Sequence, residues 1–153
     1  MSAAELAAFL REERTVTCAT NGQDGFPHLM PLWYVMRDGD VWAWTFAKSQ
    51  KVRNLERDPR ATLQVEAGSE YAELRGAMLK CDVTVHRESD LIGAFGLELF
   101  GRYATGAATQ SSGELGDDVK AMVRAQAPKR VALQFRARSA ATWDHRKLSA
   151  GVY

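Results

Sequence analysis

Residues 15–46, TVTCATNGQDGFPHLMPLWYVMRDGDVWAWTF, read as three strands and two turns. TVTCAT (15–20), FPHLMPLWYV (26–35) and VWAWTF (41–46) are dense in β-branched and aromatic residues, and the polar, glycine-containing NGQDG and RDGD separate them. This is the pattern of an antiparallel meander. Pro27 and Pro31 have no N–H to give to a ladder, so the second strand marks an edge, a bulge or a place where the sheet opens, and an opening is somewhere a ligand can lie. Side chains alternate along a strand, so Trp33 and Tyr34 point to opposite faces and only one of them reaches such a site. Trp42, Trp44 and Phe46 share one face, which suits barrel core, a contact between two chains, or a wall for a flat ring.

Working outward, Ser2 and Glu5 form a capping-box pattern ahead of Leu6, Phe9 and Leu10, which predicts an amphipathic helix over 2–13. ATLQVEA (61–67) and the long YAELRGAMLKCDVTVHR (71–87) read as a second pair of strands, with Gly76 as a site for a sharp bend. Helical spacing returns over 88–103 and 114–127, and the small, polar, glycine-rich ATGAATQSSG (104–113) connects them as a loop or lid. RVALQFRA (130–137) is a last strand, followed by WDHRKL (143–148). Six or so strands with no βαβ alternation predict a mainly β fold, a small antiparallel barrel with peripheral helices, as a single domain over 1–153.

Composition narrows function. Twenty basic and nineteen acidic side chains leave a charge of +1, so nothing in the balance suits wrapping nucleic acid or an anionic membrane. The N-terminus has no signal-peptide pattern and no run approaches a membrane span, which makes a cytoplasmic protein the expectation. Cys18 and Cys81 lie in β-like segments as core thiols, and His28, His86 and His145 stand singly, so no metal site is expected. G-x-S-x-G, Walker and G-x-G-x-x-G motifs are absent, which removes hydrolase, nucleotide-phosphatase and dinucleotide-fold readings.

The chemistry-bearing stretch is KSQKVRNLERDPR, 48–60. Ser49 can cap a short helix that Pro59 stops, and Lys51 and Arg53 fall in its first turn. Basic residues there oppose the helix dipole, and a bound phosphate would remove the conflict; the plainer alternative is a solvated basic face. Arg57, Asp58 and Arg60 suit ion pairing at the helix end rather than ligand binding. His28 opens the ligand-facing strand and suits either proton donation to substrate or a place at a surface or interface, whereas Asp144 and His145 are adjacent in the chain and so point apart.

The order of elements with PLWYV (31–35), KSQKVRNLERDPRATL (48–63) and WDHRKL (143–148) resembles the pyridoxamine-phosphate-oxidase-like split β-barrel superfamily, in particular its flavin and deazaflavin oxidoreductase branch. The resemblance implies an FMN-binding split barrel that forms a homodimer, with cofactor sites at the subunit interface holding coenzyme F-420 or FMN. It further implies that Ser49, Gln50 and Lys51 meet the cofactor phosphate, with Lys48, Arg53 and Asn54 completing that pocket. Met30, Pro31, Leu32 and Trp33 would run beside the ring, Thr45 and Phe46 would neighbour it, and Trp143 and His145 would contact substrate or the second subunit's site. No side chain is marked as catalytic, because the cofactor carries the reactive atom. The arginine and double-leucine signature of true pyridoxamine-phosphate oxidases is missing. Lys48, Lys51, Arg53 and Arg57 offer more positive charge than one FMN phosphate needs, which favours F-420 with its anionic tail. The expected reaction is hydride delivery from reduced F-420 to an activated double bond of a small hydrophobic substrate. The alternatives are an FMN-dependent oxidoreductase and, in another class, a non-catalytic protein that binds or stores flavin, deazaflavin or haem.

Overall fold

The computed structural model describes residues 1–104 and 114–148; the loop expected at 104–113 lies almost wholly outside the described residues. The elements run α1 (Ala3–Glu12), β1 (Thr15–Asn21), β2 (Pro27–Arg37), β3 (Asp40–Phe46), α2 (Gln50–Arg57), β4 (Arg60–Ala67), β5 (Arg75–His86), α3 (Ser89–Tyr103), α4 (Asp117–Gln126) and β6 (Arg130–Asp144). All strand pairings are antiparallel, and the order β1-β2-β3-β6-β5-β4 closes on itself through β4 and β1. The fold is the expected barrel.

The barrel interior is filled from alternate positions: Val16 and Cys18 of β1, Leu32 and Tyr34 of β2, Val41 and Ala43 of β3, Leu63 and Val65 of β4, and Leu133 and Phe135 of β6. α1 closes onto this core with Phe9 and Leu10, and Ser2 forms both halves of the capping box with Glu5. Cys18 and Cys81 are buried free thiols, with burial pushing each up to about 12.

A second core lies outside the barrel. Trp42 and Trp44 point away from the interior and are covered by Ile92, Phe95 and Leu99 of α3 and Val123 of α4. The shared face of the two tryptophans is therefore neither barrel core nor an exposed contact surface, because α3 and α4 pack on that side of β3. The last turn of α3 is tied to the barrel: Arg102 donates to the carbonyls of Tyr34 (2.6 Å) and Arg11 (2.7 Å), and the Tyr103 hydroxyl lies 3.0 Å from the Tyr34 nitrogen and 2.8 Å from its oxygen. Tyr103 thus satisfies the backbone of β2 just beyond the point where β1 begins.

Two sequence expectations change. Gly76 makes no bend; it sits in β5 opposite Trp143, and a Cβ there would lie 2.1 Å from Trp143 Cζ2, so the glycine permits the indole to lie on the strand. β6 runs on to Asp144 rather than ending near 137, because β5 continues to pair with it through a register shift at Lys80/Cys81.

The barrel is split between β2 and β3. These strands pair only from Tyr34↔Ala43 to Arg37↔Asp40, so residues 27–33 of β2 pair with β1 alone while 44–46 of β3 pair with β6 alone. Pro31 faces Thr17 across the β1 ladder, so the nitrogens of 27, 29, 31 and 33 point into the split, and two of these four are prolines.

Candidate functional site

α2 lies at the foot of the split, with Val52 and Leu55 in the barrel core. Its first turn is electrostatically unfinished. Ser49 occupies the N-cap position, yet its hydroxyl makes no cap bond and is buried without a partner. Lys51 is 7% exposed, and its ammonium reaches only the neutral hydroxyl of Thr45 at 3.2 Å. Burial holds its pKa below the ordinary lysine value. An ammonium has three protons to donate, so two remain for a ligand. Lys48 and Arg53 also have no carboxylate partner among the described residues.

Behind this turn is a framework rather than a ligand shell. Asn54 is fully buried; its amide donates to Thr20 Oγ1 (3.0 Å), and its carbonyl accepts from Gln50 (2.9 Å) and Arg57. Arg57 also donates to the Asn21 carbonyl, and Asp58 pairs with Arg60 at 2.7 Å. Asn54 therefore fixes the pitch of α2 against β1, and Arg57 is spent on the same task instead of adding free charge. A cleft of about 430 Å³ opens between α2 and the β1–β2 turn, lined by Phe26, Pro27, His28, Gln50 and Asn54. His28 Nδ1 is buried there without a partner.

The strands flanking the split divide by face. Leu32 is inside the core, and Met30 shares its face but is 44% exposed because no β3 residue covers it. Pro31 and Trp33 lie on the outer face, where Trp33 stacks on Tyr103 with ring centroids 4.4 Å apart and planes 10° from parallel. Thr45 points inward to Lys51, and Phe46 outward. Of the expected ring-side residues, Met30, Trp33 and Phe46 are open to a ligand; Leu32 is not.

Trp143 and His145 are at the far end of the molecule. Thr20, which meets Asn54 of α2, pairs with Ala61 of β4, whereas Trp143 pairs with Gly76, which stands opposite Glu66, about 17 Å farther along β4 at a strand's rise per residue. There Trp143 covers Gly76, and His145 Nδ1 is 2.9 Å from the Tyr71 carbonyl. Within one chain these two residues are not brought to the α2 site. Asp144 pairs with Arg146, not with His145.

One residue of the site escapes sequence reading. Arg130 stands opposite Phe46 at the start of β6, with its guanidinium carbon 3.5 Å from the Phe46 ring centroid and 4.8 Å from that of Trp44. Among the described residues it forms no ion pair, and its Nε is buried without an acceptor. Only the pairing of distant strands brings it there.

The family model described as pyridoxamine 5'-phosphate oxidase matches residues 2–144. The chain belongs to this family. A conserved hypothetical protein from Mycobacterium tuberculosis is 39% identical over 99% of this chain and 92% of its own, with a TM-score of 0.83. An F-420 reductase (21% identity, 88% of this chain and 94% of that one, TM-score 0.66) and a haem-storage protein from Vibrio cholerae (14%, 93% and 93%, 0.66) share the fold of the pyridoxamine 5'-phosphate oxidase family. No curated protein matches. Among the described residues no cluster of potential metal ligands occurs, and no helix is long and apolar enough to cross a membrane.

Because the Ser49 hydroxyl caps nothing, Ser49→Ala is expected to leave the thermal midpoint within about 1 °C of the parent, whereas loss of a working N-cap costs about 1 kcal/mol. Thermal unfolding by circular dichroism checks this, and a drop of several degrees would show that the hydroxyl supports the helix after all.

Proposed function

We propose that the chain is an oxidoreductase that holds coenzyme F-420 by its phosphate at the first turn of α2 and serves a small apolar acceptor with an activated double bond. The observation that carries the reading is Lys51, a buried ammonium with no carboxylate partner among the described residues, near the Ser49 hydroxyl, likewise unpartnered among them, at a helix N-terminus. An anionic phosphate group satisfies all three at once. F-420 in its reduced form supplies a hydride when bound.

The chain's own part is binding, orientation and exclusion of water. Lys51, Ser49 and the first N–H groups of α2 hold the phosphate; Lys48 and Arg53 extend the positive field to the charges of the tail. Met30, Pro31, Trp33, Thr45 and Phe46 border the split in which the ring lies, and Gln50 with Asn54 keeps α2 in place beneath it. In this proposal two chains form a homodimer. Trp143 and His145, held at the opposite end of β5 from α2, serve another copy's site in this reading.

Paired fluorescence titrations of the purified protein with F-420 and with FMN test the reading. Micromolar or tighter F-420 binding with weak FMN binding supports it, and turnover of reduced F-420 with a panel of activated alkenes and quinones then separates an enzyme from a carrier. Preference for FMN moves the chain to flavin chemistry, and binding of neither removes the proposal.

A further inference from the structure

Arg130 belongs to a continuous run of contacts on the outer face of the split, distinct from the inward-facing Lys51. Trp33 meets Phe100 edge-on at 6.2 Å, Phe100 meets Trp44 at 5.9 Å, and Arg130 lies over both Trp44 and Phe46. The ends of the run, Trp33 and Phe46, are 49% and 50% exposed, so apolar surface is open at each end. The guanidinium has its Nε sealed off and its two Nη groups unbonded among the described residues. Two aromatic rings pack against it, and a planar fork backed in this way is suited to a carboxylate. Cation–π contact holds the group but leaves its N–H donors unpaired.

We infer that Arg130 is the anchor of a second subsite, at the outer mouth of the split, which takes the carboxylate of a ligand whose apolar body lies on Phe46 and Trp33. This rests on reading the split as the cofactor and substrate site. The carboxylate has two possible bearers, the acceptor substrate or the glutamyl tail of F-420.

The test uses the full chain, with 1-pyrenebutyrate and the uncharged 1-pyrenebutanol as probes and tryptophan fluorescence as the readout. The butyrate is expected to bind about tenfold more tightly than the alcohol. Arg130→Gln should erase that preference while lowering the thermal midpoint by only about 2–4 °C, the cost of its cation–π contacts; Phe46→Leu, which keeps the charge and removes its cradle, should weaken it. Lys51→Met should leave it intact. Equal binding of the two probes, a preference that survives Arg130→Gln, or one lost with Lys51→Met instead, would overturn the inference. If saturating F-420 displaces the butyrate and Arg130→Gln weakens F-420 but not FMN, the carboxylate is the cofactor's; if the probe still binds beside F-420, it is the substrate's. Failure of both cofactors to bind would sink the proposed function while leaving the probe comparison to stand or fall by itself.

Discussion

Lys51→Met is expected to stabilise the ligand-free protein and to disable its anion site in the same step. The native ammonium is buried against Thr45 with no opposite charge beside it among the described residues, so the folded state bears a desolvation cost that methionine, of similar length and without charge, does not. A gain of about 1 kcal/mol would raise the thermal midpoint by about 2–4 °C. Cofactor affinity should meanwhile fall by about tenfold or more, the loss of one charge-assisted contact. The pH dependence has a definite sign. Because burial lowers the Lys51 pKa from 10.5, the unfolded chain binds the proton more tightly. Native stability then rises as pH climbs from the lowered value toward 10.5, and the advantage of the methionine variant shrinks over that window. Thermal unfolding from neutral to alkaline pH with and without cofactor checks both halves. A variant that loses stability at neutral pH would show Lys51 to be a structural group.

The largest stability loss is expected from Phe95→Ala. Phe95 is fully buried in the outer core, 5.7 Å from the Trp42 ring, and removal of its ring leaves a cavity that α3 cannot fill without sliding. Such truncations cost about 3–5 kcal/mol, a large share of the about 5–15 kcal/mol that holds a domain together. The thermal midpoint should drop by about 10 °C. The effect reaches the candidate site, because the last turn of α3 carries Phe100 and Tyr103, against which Trp33 rests. Weaker α3 docking should expose Trp33 and shift tryptophan emission to the red. A loss below about 1 kcal/mol would mean that α3 contributes little to holding the barrel face.

Much of this was legible from local pattern. The meander, the capping box at Ser2, the position of α2 and its end before Pro59 follow from periodicity and turn chemistry acting over a few residues, and each is present. Readings that depend on which distant element packs where were not legible. The common face of Trp42 and Trp44 is evident from alternation, but only tertiary packing sets α3 against it. Gly76 has the same signature whether it permits a bend or a close approach, and Trp143, far along the chain, decides for the latter. Within the candidate site, Lys51 and Ser49 were named from the motif, whereas a serine that caps and one that is free to bind a ligand look alike in sequence. Arg130 becomes visible only through the pairing of β3 with β6, and the folding of Arg57 into the Asn21–Asn54 framework only through side-chain geometry.

The prolines of β2 bear on how the chain behaves in a crowd of its own copies. A strand left unpaired along one edge over 27–33 is ordinarily a template on which another chain can add, and the apolar side chains along it would reward such growth. With Pro27 and Pro31 at two of the four positions whose nitrogens face the gap, an incoming strand finds donors only at Leu29 and Trp33, which is too broken a ladder to propagate. The gap can thus stay open and apolar without becoming a seed for edge-to-edge fibres.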